Sequence, residues 1–149
     1  MESEHPALVR GRIDTSLRAR VVSRTPLIYV ENEDPCEDRP AFVRAASGIA
    51  RFGDGFAIVQ DDASFVALTG RDARARAIAL PRGPDGRRRF EKRLGNKNEK
   101  LDLESCFAVG SGATERLFSF GSGSLPVRER VLVLCADGRP RVVDATELY

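Results

Sequence analysis

The sequence predicts an all-β protein, and three observations support this prediction. Two groups of four short apolar segments are separated by turns that contain glycine and aspartate. No apolar stretch approaches the ~18 residues that a membrane-spanning helix needs. With 149 residues, 42% of them hydrophobic and 31% charged, the chain has the composition of one ordinary globular domain. We therefore expect a single β domain over residues 17–149, preceded by a flexible tail over 1–16.

The strand-like segments follow a simple order along the chain. A β-like pattern first covers residues 17–22 and 27–30. The two groups of predicted strands comprise 47–52, 56–59, 65–68 and 75–80, and then 103–109, 116–120, 130–135 and 141–144. They predict a degenerate internal repeat, about 46–80 and 102–146, offset by roughly 55 to 60 residues. The repeats would be joined by a basic linker over 81–100.

Many of the predicted strands are continuously apolar, which indicates that both faces of their sheets are covered. Each four-stranded blade of a β-propeller is covered in this way by its neighbours, so the pattern favours antiparallel, propeller-like blades. A β-sandwich or barrel is the alternative, although its exposed face should alternate more cleanly. Two blades and an N-terminal strand segment cannot close a ring, because closure takes at least about four blades. The predicted ring is therefore partial, part of a longer protein, or completed by further copies of the chain.

Residue counts argue against several chemistries. The only histidine is His5, in the tail, so a Ser-His-Asp or Cys-His machinery has no interior base. The three cysteines lie far apart without a Cys-x-x-Cys pair, which argues against a zinc site and a disulfide framework. A net charge of +2 indicates neither a nucleic-acid nor a membrane partner. The N terminus has no signal-peptide pattern, and we expect a cytoplasmic protein.

Asp102 and Glu104 are the candidate metal ligands. They lie two residues apart at the start of a predicted inner strand, so strand alternation would place both carboxylates on one side. Carboxylate oxygens are the ligands that Ca²⁺ and Mg²⁺ prefer. The alternative is structural, with Asp102 capping a turn and Glu104 paired with Lys100 or an arginine.

A glycine- and serine-rich segment over 121–124 is the candidate anion site. Its backbone N–H groups and the hydroxyls of Ser122 and Ser124 would hold an anion, with Arg128 and Arg130 as charged partners. The segment is not a Walker loop, because no Gly-Lys-Ser/Thr follows it. The alternative is a strand connection that needs small residues.

Two charged segments complete the pattern. Residues 82–100 contain eight Lys or Arg against three acids, but only Phe90 could stack on a base and no nucleic-acid motif is present. We interpret residues 82–100 as a solvated linker with a short helix at 90–94. Nucleic acid is therefore not an expected partner. Residues 31–38 contain five acids without the glycine of a calcium loop, so we expect an exposed loop that offsets the linker.

The stretch 95–104, followed by 120–124, Pro126, Arg128 and Arg130, resembles an uncharacterised family of bacterial propeller-like proteins. The Ser-Gly-Ile strand at 47–49 and the turn at 60–62 fit the same resemblance, which covers roughly residues 17–149. It implies a six-bladed propeller about twice this length, related to phytase-like and esterase-like propellers, with this chain similar to its N-terminal half. The resemblance implies no established activity.

We therefore expect a non-catalytic module of propeller-like blades that binds a small-molecule or protein ligand, as a homo-oligomer or as half of a ring. The alternative is a metal-assisted phosphoester or ester hydrolase of the phytase-like type. In that enzyme Asp102 and Glu104 would hold a Ca²⁺ or Mg²⁺ ion that activates water, and Arg128 would steady an anionic substrate. No cofactor other than this ion is expected, and no membrane partner.

Overall fold

The computed structural model, which describes residues 11, 13–70 and 72–149, contains nine β-strands in two sheets. The strands are β1 (Ile28–Tyr29), β2 (Ala46–Phe52), β3 (Gly55–Gln60), β4 (Phe65–Thr69), β5 (Arg74–Ala79), β6 (Leu103–Val109), β7 (Arg116–Gly121), β8 (Arg130–Cys135) and β9 (Pro140–Asp144). The described residues form no α-helix, only three-residue 3₁₀ turns at Lys92–Leu94, Lys97–Glu99, Gly112–Thr114, Pro126–Arg128 and Thr146–Leu148. The all-β prediction is confirmed.

Each group of predicted strands forms one sheet. The first sheet has the order β1-β5-β4-β3-β2, in which β2 to β5 form an antiparallel meander and β1 pairs with β5 in parallel. The second sheet is an antiparallel meander in the order β6-β7-β8-β9. The turn residues explain these hairpins, since Gly53 between β2 and β3 and Gly138 between β8 and β9 have φ values of 57° and 81°.

The two sheets share a local irregularity at their first strands. The pairing of β2 with β3 shifts register between Ala46 and Gly48, and that of β6 with β7 shifts between Leu103 and Ser105. The residue before each strand has a positive φ, 40° at Ala45 and 54° at Asp102. The same bulge and the same backbone turn therefore recur in both groups of strands.

The sheets pack face to face, and β2 lies against β6. The core between them consists of Phe52, Ala57, Val59, Val66, Leu80, Leu103, Leu117, Leu132 and Leu134. A Cβ atom at Gly48 would lie 3.0 Å from Val59 Cγ2 and 3.2 Å from Cys106 Sγ, so the two strands approach as closely as a glycine allows. The hydroxyl of Ser47 donates a hydrogen bond to the Leu103 carbonyl, which also joins β2 to β6.

The outer face of the first sheet is partly covered by the preceding chain segment, residues 27–43. Tyr29 is fully buried and packs against Ile58, Ala67 and Ala75. Gln60 Nε2 donates a hydrogen bond of 2.8 Å to the Tyr29 hydroxyl. Burial raises the pKa of Tyr29 to about 12. The segment is thus attached to the sheet by an aromatic ring and a satisfied buried hydrogen bond.

The prediction of a strand over 17–22 is wrong. Within the described residues this segment pairs with no strand, and Leu17, Val21 and Val22 are exposed. A β-like pattern alone cannot supply the neighbouring strand on which a sheet depends. The expected tail over 1–16 lies outside the described residues at 1–10 and 12. No helix in the described part of the chain is long and apolar enough to span a membrane.

The acidic and basic segments contact each other. Arg82 lies 3.2 Å from Glu37, and Arg88 also pairs with Glu37. Asp38 accepts hydrogen bonds from the backbone N–H groups of Arg88 and Arg89. The acidic loop therefore neutralises part of the basic linker, as its composition predicts. The short helix expected at 90–94 is a single 3₁₀ turn at Lys92–Leu94, and Phe90 is buried rather than free to stack on a base.

Candidate functional site

Charged and hydroxyl side chains converge where β2 and β6 begin, at one end of the junction between the sheets. We call them the polar cluster, which consists of Asp61, Asp62, Lys97, Lys100, Asp102, Glu104, Ser122, Ser124 and Arg128. They come from the β3–β4 turn, the residues around the start of β6, and the β7–β8 connection. These segments meet because antiparallel pairing returns the ends of β3 and β7 to the starts of β2 and β6.

Asp102 is the centre of the polar cluster, with a side chain that is 7% exposed. Its Oδ1 lies 2.7 Å from Lys100 Nζ, and its Oδ2 lies 2.8 Å from Arg128 Nη1. Oδ2 also accepts a hydrogen bond of 2.7 Å from the Ser122 hydroxyl. The residue has a left-handed backbone, which aspartate tolerates better than most residues. Every oxygen of this carboxylate therefore has a partner within the chain.

Asp102 and Glu104 were predicted to share one side of a strand, but they are not two alternate residues of a regular strand. Asp102 precedes β6, and Glu104 lies in the bulge of that strand. The two residues are nevertheless neighbours: one carboxylate oxygen from each of Asp61, Asp102 and Glu104 lies within 4.8 Å of the others. The geometry thus brings together both candidate metal ligands and a third carboxylate that the sequence analysis did not identify as a ligand.

Lys100 lies among these carboxylates and is only 10% exposed. Its Nζ contacts Asp61 and Asp102 and lies 3.5 Å from Asp62 Oδ1. An ammonium group therefore stands where a bound cation would neutralise the carboxylates. A divalent ion would have to displace it, and Lys100 would then be a buried cation without its partners.

Three carboxyl groups of the polar cluster, those of Asp61, Asp102 and Glu104, have shifted pKa values. Burial opposes ionisation of Asp102, but hydrogen bonds with Asp61, Lys100 and Ser122 together hold its pKa well below the ordinary value. Burial raises the pKa of Asp61, and the hydrogen bond shared with Asp102 acts in the same direction. Burial and the charges of Asp102 and Asp61 raise the pKa of Glu104. Asp102 is therefore the permanent anion, whereas Asp61 and Glu104 take up protons more readily.

The glycines at 121 and 123 are required by close packing. A Cβ atom at Gly121 would lie 2.0 Å from the Arg128 carbonyl oxygen. Gly123 has a φ of 66°, and a Cβ atom there would lie 2.2 Å from the ring of Tyr149. These distances favour the structural interpretation of the segment, a strand connection that admits only small residues.

The candidate anion ligands are directed at one another. The hydroxyls of Ser122 and Ser124 lie 2.8 Å apart, and Arg128 Nη1 donates to Ser124 Oγ at 2.7 Å. Since Ser122 and Arg128 also bind Asp102, a carboxylate of the same chain occupies the position expected for an anion. Arg130 lies elsewhere: its guanidinium contacts Asp144 at 3.1 Å and the carbonyl oxygen of Pro126.

Asp61, Asp62 and Lys97 belong to the polar cluster, although no sequence pattern indicated them as site residues. Asp62 lies 3.1 Å from Lys97 Nζ, and its two carboxylate oxygens both contact this lysine. The internal repeat held the signal for Asp61, because Asp61 follows β3 as Ser122 follows β7. Aligning the two groups of strands residue by residue would have placed these turns at the same end of the molecule.

A groove of about 720 Å³ lies at the opposite end of the sheet junction. It is lined by the hairpin turns that follow β2, β6 and β8. There the backbone N–H of Gly53 donates a hydrogen bond of 2.8 Å to Glu115. None of the six candidate metal- or anion-binding residues predicted from the sequence lines this groove.

The outer face of the second sheet has an apolar centre, and Phe107, Val109 and Val143 are its exposed apolar side chains. We call it the phenylalanine face, formed by Phe107, Val109, Phe118, Phe120, Val131, Val133 and Val143. The ring of Phe107 stacks on those of Phe118 and Phe120, with centroids 5.5 and 5.9 Å away. Phe107 is nevertheless 49% exposed. The C-terminal turn at Thr146–Leu148 borders this face beside Val131, Val133 and Val143.

Residues 42–149 match the model of a family of unknown function, DUF6929. The chain belongs to this family. No curated protein and no solved structure matches the chain. The DUF6929 region includes both meanders, the polar cluster and the phenylalanine face, whereas β1 and the acidic segment 31–38 precede it.

Proposed function

We propose that this DUF6929 protein is a non-catalytic protein-binding module of propeller-like blades, and that the phenylalanine face receives its partner. The observation that carries the proposal is this face itself, in which Phe107 stacks on two partly buried rings and stays 49% exposed, on a sheet whose other side forms the core. Contiguous exposed apolar patches mark interaction sites, and aromatic residues are enriched at interfaces.

The arrangement of the sheets supports the propeller-like part of the proposal. Two four-stranded antiparallel meanders pack face to face, and their first strands, β2 and β6, are the closest pair between the sheets. Consecutive propeller blades have this relation, since the first strand of each blade lines the central axis. The relationship to six-bladed phytase-like and esterase-like propellers is part of the same proposal, as is a cytoplasmic location, with which the free thiols of Cys36, Cys106 and Cys135 agree.

The polar cluster supports a non-catalytic role. Three of its four carboxylates, those of Asp61, Asp62 and Asp102, are paired with Lys97, Lys100 and Arg128. Glu104 is the carboxylate of the cluster that forms no ion pair with the described residues. A catalytic site instead keeps a nucleophile, acid or base within reach of a reacting atom.

The proposal is tested by capture of proteins from a lysate of the source cells on immobilised chain. We expect wild type to retain a defined partner and Phe107→Asp to lose it, because a buried carboxylate in the interface would be costly. Val22→Asp is the matched control, since Val22 is an exposed apolar residue outside both sheets. Identical sets of retained proteins for all three chains would contradict the proposal.

The hydrolase is a second candidate, favoured by two observations. Oxygens of Asp61, Asp102 and Glu104 lie within 4.8 Å of one another, and Arg128 Nε is buried without a hydrogen-bond partner in the described structure. The test is thermal unfolding with Ca²⁺ or Mg²⁺, together with hydrolysis of p-nitrophenyl phosphate. A metal-dependent rise in Tm and a phosphatase activity that are both lost in Glu104→Gln would support the hydrolase. We expect neither.

A further inference from the structure

The internal repeat relates the faces of the two sheets to each other. Aligning the sheets through their shared bulge places Ala50 at the position of Phe107 and Val59 at that of Phe120. The first sheet uses the face that carries Ala50 and Val59 to pack against the second sheet. In the second sheet the equivalent face is the phenylalanine face, and no sheet of the described chain packs on it. The phenylalanine face is therefore the surface on which a further sheet would lie if the packing inside the chain were continued.

The same alignment identifies the surface that would cover it. Cys106 and Leu117 on the inner face of the second sheet correspond to Ile49 and Phe56 on the outer face of the first sheet. Residues 27–43 leave this part of the first sheet uncovered, since Ile49 is 62% exposed and Phe56 is 41% exposed. The chain thus has two strips with exposed apolar side chains, both near the strands that lie closest together inside the molecule; the strip on the first sheet also contains the exposed Arg51 opposite Phe56.

We propose that a second copy of the chain docks head to tail, with its Ile49 and Phe56 against Phe107 and Val109. The interface would continue the existing contact between β2 and β6, because it joins β6 of one copy to β2 of the next. This inference rests on the proposed function, as it uses the same face and names its partner. A heterologous interface of this kind closes into a ring when the rotation allows it. Two to four copies would supply the roughly four to eight sheets of known propellers.

The packing of the turns predicts one further contact in the same arrangement. Inside the chain the β8–β9 turn lies against β5, with a Cβ atom at Gly138 only 3.8 Å from Ile78 Cδ1. Val143 is the repeat equivalent of Ile78, and the β4–β5 turn is the equivalent of the β8–β9 turn. Asp72 in the β4–β5 turn of the second copy would therefore lie near Arg141, which is exposed beside Val143. Opposite charges at this position complement each other.

The experiment measures mass by light scattering after size exclusion, over a range of concentrations. We expect wild type to form an oligomer and both Phe107→Asp and Ile49→Asp to be monomers. An equimolar mixture of the two variants should form a heterodimer, because each retains the face that the other lacks. Val22→Asp should remain an oligomer. Circular dichroism verifies folding, and Val109→Asp replaces Phe107→Asp if that variant does not fold.

Each result decides between arrangements. A wild type that is monomeric at every concentration overturns the second copy as partner, whereas loss of a captured lysate protein in Phe107→Asp would still uphold the binding face. An Ile49→Asp variant that stays dimeric indicates a symmetric contact between two phenylalanine faces and overturns the head-to-tail arrangement. Arg141→Asp should weaken association, and Asp72→Arg in the same chain should restore it. Failure of that rescue would overturn the predicted register.

Discussion

The two sheets share one backbone pattern but differ in what covers their outer faces. The first sheet presents small residues there, such as Ala67 and Ala75, which leave room for the ring of Tyr29 from the preceding segment. The second sheet presents Phe107, Phe118 and Phe120, and no described strand lies over them. Small side chains thus accompany a covering segment of the same chain, and large aromatic ones accompany an open face. The comparison separates an outer face that the preceding segment covers around Tyr29 from one that no described strand covers.

The largest difference is expected from truncating one aromatic residue on each outer face. Tyr29→Ala should lower the free energy of unfolding by about 4 kcal/mol, since a fully buried ring and its hydrogen bond to Gln60 are lost. Phe107→Ala should cost about 1 kcal/mol or less in the isolated chain, because half of that ring is already exposed. Urea unfolding of each variant and of wild type, at a concentration at which the chain is monomeric, measures both losses of unfolding free energy. Equal losses would show that the two faces are equally covered.

A second large effect is expected in the polar cluster. Asp102→Asn keeps a residue that tolerates positive φ but removes the charge. This should cost about 3 kcal/mol, because Arg128 loses its carboxylate partner and the buried Lys100 keeps only Asp61 and Asp62. The matched control is Asp137→Asn, which removes the acid of an exposed pair with Arg139 and should cost under about 1 kcal/mol. Chemical denaturation compares the two variants. A small loss for Asp102→Asn would contradict the internal role of the cluster.

A smaller effect is expected at the contact between the sheets. Gly48→Ala should destabilise the protein by about 1–2 kcal/mol, since the new methyl group would meet Val59 and Cys106 at 3.0 and 3.2 Å. The repeat equivalent, Ser105, is exposed, so Ser105→Ala is the control and should change stability by a few tenths of a kcal/mol. Thermal unfolding measures the difference. If both variants behave alike, the repeat does not distinguish an inner face from an outer one.

The smallest effect is a difference in acid sensitivity. The folded-state pKa of Asp102 lies below the ordinary value of 3.8, so its contribution to stability is present above that pH and is lost as the pH falls towards the folded pKa. The raised pKa values of Asp61 and Glu104 have the opposite sign, because protonation of these groups favours the folded state as the pH falls. Between about pH 5 and pH 2, Asp102→Asn should therefore lose less stability than wild type. Parallel denaturation series over this range test the sign.

Much of the fold could be predicted because strands and hairpins depend on local residues. The glycines and aspartates at 53–54 and 137–138 end one strand and begin the next, and the segments between them are apolar enough to be buried. The same logic failed at 17–22, where a suitable pattern has no neighbouring strand. Local residue preferences also could not predict the parallel pairing of Ile28 and Tyr29 with β5, because this pairing joins residues that are distant in sequence.

The candidate site was predicted only in part. Asp102, Glu104, Ser122, Ser124 and Arg128 are neighbours, but Asp61 and Asp62 reach them across the contact between the sheets. Arg130, close to Arg128 in sequence, points to Asp144 instead. Spacing along a strand says which side chains share a face, whereas a bulge and a left-handed residue redirect them without a distinct sequence signal.

The sequence by itself determined the all-β class, the two groups of four strands and the neutralising charges of the acidic and basic segments. Only the tertiary structure decided that Lys100 lies between the carboxylates of Asp61 and Asp102, and that apolar side chains stay exposed on the outer faces of both sheets. The physical reason is that hydrogen-bonded strands and turns follow from local residue preferences, while charge neutralisation and burial depend on which distant groups meet.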